Sequence, residues 1–159
     1  VLFRSLKFAV NHSDIIDIIQ WKSPVAHPVN PSIMRHGIKW SENSFAMGRI
    51  VDVKKALEYT LSGFGNTELE LTIKVIDPFL EWNNQTYRIV STNENIAVVP
   101  SAQEPDFIIH ITVLAQLLWG YISPSKAIEC GLINEYNPKK LDQISFIFFE
   151  TIPYIYEDY

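Results

Sequence analysis

The last ten residues, Glu150 to Tyr159, hold Glu150, Glu157, Asp158 and the terminal carboxylate without a single Lys or Arg. Carboxylates at that density attract a cationic, amine-bearing molecule. One of them, withdrawn from water, gains the basicity to take a proton from an ammonium group. Tyr154, Tyr156 and Tyr159 are interleaved with the acids, and together with Pro153 they supply the apolar bulk that would tuck such a tail into a cleft. The same ten residues also describe a solvated, fraying chain end, the usual fate of a C-terminus. Composition alone leaves both readings standing.

Other residue types that do chemistry point to structural roles. His12, His27, His36 and His110 stand at no ligand spacing from another His or Cys, and the nearest carboxylate pairing, Asp106 with His110, is incidental. No metal site is expected. Gly63-Phe-Gly65 has no Lys behind it and leads into a strand, whereas a phosphate cradle needs the amides of a helix start; it reads as a turn. Cys130 precedes Gly131 at a helix C-terminus, where the dipole disfavours a thiolate, and it reads as a packing residue. Arg49 and Asp52, three apart, read as a strand arginine beside a helix cap, the alternative being a polar element at the edge of a pocket.

Composition narrows the class. The chain has 159 residues, 47% hydrophobic, with 13 Lys+Arg against 18 Asp+Glu and a net charge of −5. That content builds a real core and excludes disorder. The acidic balance without a basic run argues against nucleic acid, and a lone cysteine argues against a disulfide framework and fits a reducing, cytoplasmic setting. The longest apolar stretch, 107–122, is short and is broken by His110, Thr112 and Gln116, so no membrane span is expected. The chain opens Val-Leu-Phe-Arg-Ser without a Met, which suits a fragment of a longer polypeptide.

The elements that must position these residues divide near residue 41. Leu2 to Val10 has one apolar helical face, and Ile15 to Trp21 reads as a strand, although the isoleucine spacing also suits a helix, followed by a proline-rich loop from Pro24 to Gly37. Forty such residues cannot bury their own apolar faces and look like the end of something larger. From 42 onward the pattern is α+β. Phe45–Val51 reads as a strand and Asp52 as the cap of a helix over Val53–Tyr59. Leu69 to Val75 alternates apolar with Glu70, Thr72 and Lys74, a strand with one wet face. Thr86–Val90, Ile96–Val99 and Phe107–Ile111 read as further strands. Thr112 is expected to cap a helix ending at Gly120, and Ser123-Pro124 to open one that Gly131 closes. A last helix starts at Pro138, with Leu141, Ile144, Ser145, Phe148 and Phe149 inward. Strands followed by helices imply a mostly antiparallel, curved sheet with helices on one side.

Several of these stretches together resemble a known family. Phe45-Ala-Met-Gly-Arg-Ile-Val-Asp-Val-Lys-Lys-Ala-Leu57 is similar to the opening of a sterol carrier protein-like domain, in the version found at the C-terminus of Eis-type (enhanced intracellular survival) GNAT N-acetyltransferases. Ile76 to Ile89 resembles that family's strand-turn-strand. Asp106 to Tyr121 resembles its following helix, and Leu6 to Pro31 the end of a central GNAT domain. The resemblance implies residues 1–41 as a helix-strand remnant of a second GNAT domain and 42–159 as the carrier-like domain. It further implies N-acetylation of a polyamine-like or aminoglycoside-like amine from acetyl-CoA. The cofactor loop and the acid tyrosine would lie in a domain outside this chain, so the chain alone would be inactive. On the same ground the α-carboxylate of Tyr159 would be the general base, Asp158 would hold the cation, and Met47 would stand where many relatives line the substrate pocket with an aromatic residue. The N-terminal GNAT domains of the same polypeptide would be its partners, and the full-length protein a homo-oligomer. Two rival readings remain. One is a stand-alone lipid carrier whose tunnel Leu114, Leu117, Leu118, Phe146 and Phe149 would line, although they are more simply core. The other is a buttress without a catalytic part.

Overall fold

The computed structural model describes residues 7–8, 11–12, 14–15, 18, 41, 47–64, 68–91 and 96–151. Most of the expected N-terminal helix, strand and proline loop, and the tail from 152 with Asp158 and Tyr159, lie outside the described residues. Within the first segment, His12 stacks on Phe8 with ring centroids 4.1 Å apart. Ile15 sits in a turn, its N–H donating to His12 O at 3.0 Å, and Ile18 is in no strand, contrary to the expected strand there. Isoleucines spaced three apart serve a turn as readily as a strand.

Glu42–Pro153 form one compact unit. Its described elements are α1 (Val53–Leu61), β1 (Glu70–Ile76), β2 (Thr86–Ser91), β3 (Ile96–Pro100), β4 (Phe107–His110), α2 (Ile111–Leu118), α3 (Pro124–Glu129) and α4 (Leu141–Ile147). The sheet order is β3-β2-β1-β4. β1 pairs with β2, and β2 with β3, antiparallel, while β4 crosses over to lie parallel to β1. The register stacks Leu71 on Ile89, Ile73 on Tyr87 and Phe107, and Val75 on Ile109. Period two then puts all of these on one face, which the helices cover with Val53, Leu57, Leu61, Leu114, Leu117, Ile144 and Phe148. The fold is therefore α+β, with helices packed against one face of a mostly antiparallel sheet. The opposite face carries Glu70, Lys74 and Arg88, where Arg88 Nη2 donates to Glu70 Oε1 at 2.7 Å. No helix among the described residues is long and apolar enough to cross a membrane.

Four local expectations are corrected. Residues 47–51 form no strand: this segment is held by side chains rather than by a ladder. The helix expected to start after Thr112 starts at Ile111, and His110 caps it, its Nδ1 accepting from Thr112 N at 3.4 Å. Cys130 is exposed rather than packed. The six-residue α3 ends before it, and the left-handed turn at Gly131 (φ 70°) swings the chain so that Ile133 enters the core instead. Phe149 is exposed because Phe148 is extended (φ −118°, ψ 87°), and alternation turns the next side chain outward.

Candidate functional site

The segment Met47-Gly48-Arg49-Ile50-Val51 is fixed by a polar knot at the end of β1. Asp77 follows the last strand residue, and its side chain is fully buried. It accepts from Phe79 N at 3.0 Å, Leu80 N at 3.1 Å, Asn83 Nδ2 at 3.0 Å and Arg49 Nη2 at 2.9 Å. Burial pushes the Asp77 carboxyl up, but the bonds from Asn83, Phe79 and Leu80, and then the Arg49 charge, outweigh it and hold the group below the usual carboxylate range. Asn83 extends the knot: its Oδ1 accepts from Val53 N at 3.0 Å, and its Nδ2 also reaches Val51 O at 3.2 Å. Trp82 Nε1 donates to the same carbonyl at 2.9 Å. Asp52 caps α1 by accepting from Lys55 N, so Arg49 pairs with Asp77 and not with its sequence neighbour.

On its other side the segment meets a tryptophan. A Cβ at Gly48 would overlap Cη2 and Cζ2 of Trp119, so only glycine lets the backbone lie against that ring. Trp119 ends α2, and Gly120 follows at φ 67°. Thr151 docks on this turn, donating from its N–H to Gly120 O at 2.7 Å and from Oγ1 to Trp119 O at 3.2 Å. The last described residue before the tail is thereby tied to the structure that carries Met47 and Arg49. Met47 itself is 99% exposed, Phe79, Trp82 and Val51 are also exposed, and the Arg49 guanidinium lies 5.2 Å from the Phe79 ring centre.

A separate cavity of about 460 Å³ lies beside β4, lined by Glu104, Asp106, Ile108, Glu135, Tyr136 and neighbours. Asp106 is spent on structure, its Oδ2 accepting from Thr72 N and its Oδ1 from Asn137 Nδ2, both at 2.9 Å. Of the five residues offered as a lipid tunnel, Leu114 and Leu117 are buried in the core, and Phe146 and Phe149 are about half exposed. Among the described residues no three His, Cys, Asp or Glu side chains converge as a metal site.

A sterol carrier protein domain matches residues 53–156. The chain belongs to that family. No curated protein matches it in sequence. Among solved structures this chain is similar to a GCN5-related N-acetyltransferase from Anabaena variabilis ATCC 29413, at 26% identity and TM-score 0.58 over 66% of this chain and 26% of that one. It is also similar to Eis1 from Mycobacterium abscessus, at 21% identity and TM-score 0.55 over 67% and 26%. A third likeness is to a GCN5-related N-acetyltransferase from Kribbella flavida, at 15% identity and TM-score 0.59 over 70% and 29%. The last two are likenesses of fold alone. This chain spans 26% to 29% of the length of these structures. Arg49, Asp77, Asn83 and Asp106, which lie in the stretches that carried the resemblance, all make structural hydrogen bonds. Sequence reasoning missed Trp119 and Thr151, although a glycine inside an extended stretch signals close approach of another group.

Proposed function

We propose that this carrier domain is the C-terminal part of an Eis-type N-acetyltransferase, preceded by acetyltransferase domains of which residues 1–41 are the end. In this reading the tail enters the cleft of the acetyltransferase domain, where acetyl-CoA binds, and meets a polyamine-like or aminoglycoside-like amine. Asp158 holds the ammonium group and the Tyr159 carboxylate takes its proton. The freed amine attacks the thioester carbonyl, and collapse of the tetrahedral adduct forms the amide and breaks the C–S bond, the extra proton on the nitrogen passing to the departing thiolate of coenzyme A. An α-carboxylate near 3.5 facing an ammonium near 10.4 is mismatched by about 7 units, or roughly 9 kcal/mol. Withdrawal from water and the like charge of Asp158 both raise the carboxylate toward its partner, which is the physical reason to pair two acids at the tip. Met47 belongs to the rim of that cleft, and the full-length enzyme works as a cytoplasmic homo-oligomer.

One observation chiefly supports this reading: the tail departs from Thr151, anchored on Trp119 and Gly120, next to the Met47-Gly48-Arg49 segment. Eight residues span at most about 28 Å, so the tip is delivered within that radius of a fixed point. The test is to append one glycine after Tyr159 in the longer polypeptide, once its C-terminal peptide is shown by mass spectrometry to end there. The carboxylate then moves by a few ångströms, and kcat/KM falls on the order of a hundredfold. An unchanged value removes the base role.

A further inference from the structure

We draw no further inference here: the strongest candidate, the cavity beside β4 lined by Glu104, Asp106, Glu135 and Tyr136, rests on a cluster of acidic side chains, of which Asp106 is spent on Thr72 and Asn137, and no second feature among the described residues points to a ligand.

Discussion

Asp77→Ala probes the one charged side chain that is buried among the described residues. The substitution leaves the amides of Phe79, Leu80 and Asn83 without their acceptor and sets Arg49 free. An abandoned buried donor costs about 1–3 kcal/mol. Phe79 is exposed and Arg49 is 44% exposed, so water re-satisfies part of the loss. The balance is about 3–5 kcal/mol, three abandoned donors less what water recovers. For a chain of this size each kcal/mol lowers Tm by roughly 2–4 °C, so the melt shifts by about 10 °C. Urea unfolding with the slope held constant measures it. Arg49→Ala costs less, about 1–2 kcal/mol, because three donors still hold the carboxylate. The depressed carboxyl adds a sign: the unfolded state binds the proton first, so its contribution is complete above the unfolded value near 3.9 and is lost as pH falls through the folded one. Wild type and Asp77→Ala therefore converge in acid. A loss below about 1 kcal/mol for Asp77→Ala, or an Arg49→Ala cost that exceeds it, refutes the account of the knot.

Two further outcomes follow from the same geometry. Burial first, and then the charges of Asp52 and Asp77, raise the Tyr87 hydroxyl against the lowering bond from Gln85. The unfolded tyrosine ionises near 10, so wild type loses stability as pH climbs past that value while Tyr87→Phe does not, as alkaline urea midpoints would record. Gly120→Ala and Gly131→Ala both place an L residue at positive φ (67° and 70°). That strain costs about 1–2 kcal/mol. Only the first also strikes Thr151, the nearest atom to a Cβ at 131 being Asn134 Oδ1 at 3.8 Å, so Gly120→Ala is the more costly in a thermal melt.

Much of the fold was legible because local rules and tertiary demands agree along it. Glu70 to Ile76 alternates except at Thr72, expected on the wet face but buried, Asp52 and Ser123-Pro124 mark true helix starts, and Gly120 and Gly131 take the positive φ expected after helices. Where reading failed, the deciding partner was distant. The 47–51 segment has strand-like residues, but its bonds go to Asp77, Asn83 and Trp82 some thirty positions on. His110 looked like an ordinary strand residue because nothing local says that its ring will cap the next helix. Cys130 and Phe149 lie within a residue or two of chain reversals, where a single dihedral decides which way a side chain faces. The candidate site was legible only as chemistry: acids and aromatics name a task for the tail, while the anchor at Thr151 is a contact across 31 residues to Gly120 that no spacing announces.

The central claim is that the carrier domain hands its tail to an acetyltransferase cleft. Initial rates of acetyl transfer from acetyl-CoA to spermidine, by the longer polypeptide and by the same polypeptide ended after Thr151, test it most directly. The account predicts a fall on the order of a hundredfold or more with acetyl-CoA binding intact; equal rates would contradict it.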